Sequence, residues 1–135
     1  MTDYVLDTNI VTFILYQKSV PVQRMRDVVA VGDRILGCPV VWYEVRRGLL
    51  CRDARRRMQT FERLFTDFDW DDYTLHDWAL AAQLWSERRA QGRPIHDADL
   101  LIGVFARNRN AVLVTDNEKD FAGLGLTVQN WTLPE

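Results

Sequence analysis

The chain has 135 residues, 47% of them hydrophobic, enough to enclose one core and too few for two independent ones. Its formal charge of -2 excludes attraction of a polyanion by net charge and leaves local patches as the route to one. Two cysteines exclude a disulfide scaffold and match no common zinc spacing; with no charged leader and no apolar run of membrane-spanning length, one domain over residues 1–135 is expected, cytoplasmic and away from membranes.

Strand-like and helix-like segments alternate along the chain without a repeat. Tyr4-Val5-Leu6 reads as a buried strand that ends abruptly in Asp7-Thr8-Asn9. Asn9 is placed to cap a first helix over Ile10 to Lys18, and Pro21 closes that region before a second helix over Val22 to Val31. Gly32-Asp33 is a turn signal, Arg34 to Gly37 a second strand, and Cys38-Pro39 the start of a helix with proline in its tolerated first turn. Glu44 falls inside that helix. Helical periodicity resumes after Asp53, with Met58, Phe61, Phe65 and Leu50 as the expected inward stripe. Phe68 to Trp70 offers a short third strand. Thr74 and Asp77 form a capping box for a helix whose expected apolar face is Leu75, Trp78, Ala79, Ala82 and Trp85. Gly92 and Pro94 end it. Asp97 is then a candidate cap for the helix carrying Asp99 and Leu100 to Ala106. Ala111 to Thr115 reads as a fourth buried strand, Asn117 to Phe121 as a short helical turn, Leu126 to Val128 as an edge strand, and Trp131 as an anchor packing back on the domain. Five short strands separated by helices give an α/β sandwich with a mainly parallel sheet.

Right-handed crossovers bring the C-terminal ends of parallel strands to one side of the sheet, where open α/β folds bind ligands. Asp7 and Asp116 follow strand-like runs, and Asp97 and Asp99 open a helix. Acids at a helix start also simply complement its dipole. Carboxylates gathered in a crevice repel one another unless protonated or offset by cations. Hard divalent ions, magnesium or manganese, suit such oxygen donors and assist phosphate chemistry, whereas His76, His96 and the cysteines make no compact zinc pattern.

Taken together, VLDTNIVTFIL, PVVWYEVRRGLL, GRPIHDADLLIGVFA, AVLVTDNEKDF and GLTVQNW resemble the PIN-domain ribonucleases, and more narrowly the VapC-like toxins of type II toxin-antitoxin systems. The resemblance covers nearly the whole chain. It implies a PIN-like three-layer sandwich and hydrolysis of RNA phosphodiesters with Mg2+ or Mn2+. Carried over by position, Asp7, Glu44 and Asp99 are the metal-binding, catalytic acids, and Thr115 supports the fourth strand end. Relatives often have an acid two residues beyond that threonine, where this chain has Asn117, so Asp116 stands as a further candidate ligand. Asp97 stands as another, acting through water. Thr8, Asn9 and Asn117 are orienting groups around the acids. The resemblance also implies a VapB-like antitoxin and a homodimer.

Arg46 and Arg47 open a basic segment with Arg52, Arg55, Arg56 and Arg57, suited to phosphate contacts or to a solvated, salt-bridged helix face. Two rivals stand beside the ribonuclease. A phosphoaspartyl phosphatase would need Asp-x-Asp, and Asn9 occupies the second acidic position. A noncatalytic RNA-binding or antitoxin-binding module would use the arginines without metal.

Overall fold

The structure, a computed structural model, describes residues 1–134. Its centre is a sheet of five parallel strands: β1 (Asp3–Leu6), β2 (Arg34–Gly37), β3 (Asp69–Trp70), β4 (Val112–Val114) and β5 (Val128–Gln129), in the order β3-β2-β1-β4-β5. Successive residues Val5 and Leu6 point to opposite faces of the sheet yet are both buried, so helices cover the sheet on both sides. From β1 the chain winds outward through β2 and β3, then crosses back to β4 and β5. The strand order reverses between β1 and β4, and there the C-terminal strand ends leave a crevice.

The helices among the described residues are α1 (Thr8–Leu15), α2 (Ser19–Ala30), α3 (Pro39–Cys51), α4 (Arg55–Asp67), α5 (Leu75–Ala90) and α6 (Asp97–Asn108), with a 3-10 turn at Glu118–Phe121. Helix α1 is rich in β-branched residues of modest helix propensity, and burial holds it: Ile10, Val11, Ile14 and Leu15 enter the core, each stabilising by about 1.5–3 kcal/mol. Helix α3 buries Val41, Val45 and Leu49 at helical spacing, which leaves Glu44 beside the core stripe. Trp131 is fully buried against Tyr4, ring centroids 5.5 Å apart, as expected of an anchor.

Several local expectations are corrected. Helix α1 begins at Thr8, because the Asp7 carboxylate accepts the Thr8 amide at 2.8 Å while the Asn9 side chain accepts the Asp116 amide. Helix α2 starts at Ser19 and takes Pro21 into its first turn, where no amide donor is needed. Leu50 is exposed because it lies one residue past the buried Leu49, a 100° step around α3. His96, rather than Asp97, stands at the N-cap of α6, with Asp97 and Asp99 both in the first turn. Strand β3 is Asp69–Trp70 without Phe68, and β5 lies one to two residues later than expected.

The largest correction is the phase of α5. Leu75, Trp78 and Trp85 are exposed, while Asp77, Ala81 and Leu84 are buried. Asp77 faces inward because Arg109 of the segment after α6 meets it with two hydrogen bonds, Nη1 at 3.1 Å and Nη2 at 2.9 Å. Asn108 adds a third at 2.7 Å. A charge that arrives with its partner can turn a polar face inward, and an apolar count around the helix does not register that.

Candidate active site

Asp7 sits where β1 becomes α1, on the β1–β4 crevice. Its amide donates to the Val114 carbonyl at 2.8 Å, continuing the ladder one residue past the strand. One carboxylate oxygen caps the Thr8 amide at 2.8 Å and the other accepts the Thr115 hydroxyl at 2.7 Å. Thr115 is fully buried at the end of β4, and its hydroxyl accepts the Asn117 amide at 3.0 Å. Thr8 donates its hydroxyl to Glu44 at 2.7 Å, so α1 and α3 are tied through an acid-to-hydroxyl contact.

The charges here are poorly compensated. Burial pushes Asp7 from its ordinary value up to about 6 against the pull of the Thr115 and Thr8 bonds, and Asp99 and Glu44 push it further. Asp99 is also raised, by burial, by Asp120 and by Glu44, with His96 opposing. Asp7, Glu44 and Asp99 therefore share one electrostatic neighbourhood, although 36 and more residues separate Asp7 from the others in sequence. The adjacent cation is Arg47, 3.5 Å from Glu44 and itself more than half exposed.

Asp120 also belongs to this neighbourhood, since it acts on Asp99, and the strand and helix pattern of the sequence does not single it out. Asp116, the further candidate, accepts hydrogen bonds from Asn130 at 3.2 Å and Thr132 at 3.3 Å, on the rim of the crevice. The signal for Asp120 was the next residue: Phe121 is buried and fixes the 3-10 turn that carries the acid. Asp97 is exposed in the first turn of α6. Asn9 joins α1 to the Asp116 amide at 3.3 Å, so Thr8, Asn9, Thr115 and Asn117 all belong to the hydrogen-bonded frame of the strand ends. Arg46 lies over Trp42 and 3.4 Å from Glu62, and Arg47 lies over Tyr43.

The donors in the crevice are carboxylate and hydroxyl oxygens, the chemistry that a hard divalent cation takes. A buried acid raised by its acidic neighbours is the electrostatic condition that such a cation relieves. The expected metal-sized cluster is not preformed: among the described residues no three His, Cys, Asp or Glu groups are gathered closely enough to hold an ion. No helix among these residues is long and apolar enough to cross a membrane.

The family model described as PIN domain matches residues 4–125. The tRNA(fMet)-specific endonuclease VapC of Shigella flexneri is 26% identical over 133 residues, covering 98% of this chain and all of that one. Ribonuclease VapC1 of Haemophilus influenzae (strain R2866) is 28% identical over 131 residues, 96% of this chain and 98% of its own. Among solved structures, VapBC2 from Rickettsia felis bound to a DNA fragment from their promoter superposes with a TM-score of 0.85 at 24% identity, over 96% of this chain and 99% of that one. FitAB bound to an IR36 DNA fragment gives 0.74 at 21%, over 98% of each. Both have the same fold.

Proposed function

The chain belongs to the PIN-domain family, and from that premise we propose that it is a single-domain, metal-dependent endoribonuclease, the toxin of a VapC-like toxin-antitoxin pair. The observation that carries the reading is Asp7, buried at the strand-order reversal and raised to about 6 with Asp99 and Glu44 acting on it. A structural carboxylate so placed would be expected to have a cation beside it, as Asp77 has. The two VapC relatives, matched over nearly their full length, are a tRNA(fMet)-specific endonuclease and a ribonuclease, which supports an RNA phosphodiester as the substrate class.

In this reading Asp7, Glu44 and Asp99 hold Mg2+ or Mn2+, with Asp120 adding charge behind Asp99 and with Asp116 and Asp97 at the margin. Such an ion supplies Lewis-acid polarisation of the phosphate and a more acidic water. The chain's own residues do the positioning. Thr115 and the Thr8 amide fix both oxygens of Asp7, the Thr8 hydroxyl fixes Glu44, and the frame through Asn9 and Asn117 keeps the two strand ends in register. Preorganised oxygens of this kind need no rearrangement when charge develops on the scissile phosphate. Arg46 and Arg47, on α3 beside Glu44, make backbone contacts to the RNA in this reading. A VapB-like antitoxin and a second copy of the chain are the partners of this reading; relatives of the same fold have been solved as VapBC and FitAB complexes.

The test is incubation of antitoxin-free protein with total RNA in Mg2+, in Mn2+ and in chelator, with new 5′ ends mapped by sequencing. Discrete cuts that need the ion and vanish in Asp99→Asn are expected. Folded protein that cuts nothing under either ion, yet binds RNA, would be a binding module instead.

A further inference from the structure

The residues with unspent charge lie away from the acids. The C-terminal end of α1 and the first turns of α4 enclose an open groove of about 710 Å³ whose walls include Tyr16, Arg55, Arg56, Arg57, Thr60 and Arg63, with no carboxylate among its lining residues. Arg56, Thr60 and Arg63 stand at i, i+4 and i+7 and so share one stripe of α4, opposite the stripe on which Phe61 and Phe65 are buried. Arg56 and Arg63 have no side-chain partner among the described residues. Arg55 has only Asp53 at 3.7 Å, with both side chains almost fully in water, a pairing that contributes little.

Tyr16 holds the other side. The Arg57 guanidinium lies 3.9 Å from its ring centroid, and Arg52 donates to its hydroxyl at 2.9 Å. Two cations are thus fixed at the lip of a groove that already contains unpaired ones, in a chain whose net charge is -2. Like charges concentrated in this way repel one another in the free protein, and a polyanion relieves that repulsion. Guanidinium forks suit phosphate oxygens, and exposed aromatic rings accept stacked bases.

The position connects the groove to the crevice. Helix α1 carries Asp7 at one end and Tyr16 at the other, and α3 carries Glu44 midway and Arg52 at its end. Nine positions on α1 and eight on α3 separate the acid from the edge of the groove, about 12–14 Å at 1.5 Å per residue. Within that stretch of α3 lies Arg47, 5.0 Å from the ring of exposed Tyr43, the residue just before Glu44.

We propose that this α1–α4 groove is a phosphate track for single-stranded RNA, holding the strand by Arg55, Arg56, Arg57 and Arg63 one helix length from the acids. The assignment rests on the ribonuclease reading and deepens it by naming where the substrate is held outside the crevice. It assigns the groove to RNA rather than to an acidic protein segment because single-stranded RNA matches both its guanidinium forks and the partly exposed Tyr16 ring in its wall.

The test uses full-length protein in chelator, which withholds the ion that cutting requires, and a fluorescent oligoribonucleotide of mixed sequence, titrated by anisotropy from 50 mM to 1 M salt. Arg56→Ala with Arg63→Ala, both exposed helix positions where alanine preserves the helix, should weaken binding roughly tenfold or more at 50 mM salt and flatten the salt dependence by about 0.7 per lost contact. Arg26→Ala on α2 should match wild type. Equal affinity and slope in wild type and the double variant overturns the track, and so does absence of binding by wild type at 50 mM salt. An unchanged RNA titration with loss of a polyglutamate peptide in the double variant also overturns it and gives the groove to an acidic protein segment. The ribonuclease reading stands or falls separately, on ion-dependent cutting of total RNA by wild type.

Discussion

Asp7 and Asp77 are both buried at helix N-termini, and their charges meet opposite surroundings. Burial raises both. For Asp77, the hydrogen bonds from Arg109, from Asn108 and from the Thr74 amide overcome burial and hold the carboxyl at about 2. For Asp7 the neighbours are two hydroxyl or amide donors and two further acids, and the carboxyl stands at about 6. One aspartate is complete within the chain and joins α5 to the end of α6. The other is left with a charge that an ion from outside would complete. Burial alone does not separate structure from function here; the presence of an internal cation does.

The largest effect should come from removing that cation. Arg109→Met leaves Asp77 buried without its partner and should destabilise the fold by about 3–5 kcal/mol at neutral pH. The sign with acid follows from the lowered carboxyl: its stabilisation is complete above the ordinary 3.8 and disappears as pH falls toward about 2. Urea unfolding at pH 7 and again near pH 3 measures both. A loss below about 1 kcal/mol at pH 7 would mean that the Asp77 pair does not hold α5 against α6.

Next in size is Asp99→Asn, which keeps a polar helix start and removes one charge from the unpaired set. Single-turnover cleavage of a responsive RNA at saturating protein should fall by roughly a hundredfold or more, about 2.7 kcal/mol of barrier. Asp97→Asn, at the exposed neighbouring position, should lose only a few-fold. Near wild-type cutting by folded Asp99→Asn would remove Asp99 from the working acids.

The same comparison marks what the sequence disclosed. The grouping of Asp7, Glu44 and Asp99 comes from the family resemblance, since Glu44 lies inside a helix where no strand end marks it, whereas the five short strands and their parallel arrangement could be read because buried parallel strands are short apolar runs. The face of α5 could not be read that way, since the helix carries two apolar stripes and the choice between them is made by Arg109, a residue 32 positions from Asp77. Asp120 escaped for a related reason. Its placement depends on Phe121 entering the core from a turn of four residues, too short for periodicity to orient.

A smaller effect, of opposite sign, is expected at Asp7. In the folded chain this carboxyl keeps its proton to about 6, while the unfolded chain releases it near 3.8. Ionisation therefore works against folding, and metal-free stability should fall as pH rises from about 4 to 6, by at most about 3 kcal/mol. Asp7→Asn removes that penalty, so the variant should be more stable than wild type at pH 7.5 by about 1–2 kcal/mol and equal to it near pH 4. Millimolar Mn2+ should raise the melting temperature of wild type and not of the variant. Thermal melts across pH, with and without the ion, decide it; a variant less stable than wild type at every pH would mean that the Thr8 and Thr115 bonds outweigh the buried charge.

The smallest effect separates holding an acid in place from holding the fold together. Thr8 is the link by which Glu44 joins Asp7, donating at 2.7 Å, but Glu44 is partly exposed and also has Arg47 at 3.5 Å, so water can replace the lost donor. Thr8→Val should therefore shift stability by no more than about 1 kcal/mol. The consequence should appear instead in the geometry of the acids, as weaker Mn2+ binding by calorimetry and a lower single-turnover rate, both restored by Thr8→Ser, which returns the hydroxyl without the methyl group. The Asp77 pair offers the contrast: there the partner is a cation and its loss unfolds, whereas here the partner is a neutral hydroxyl and its loss should misplace. Equal ion binding in Thr8→Val and wild type would show that Glu44 needs no tether to α1.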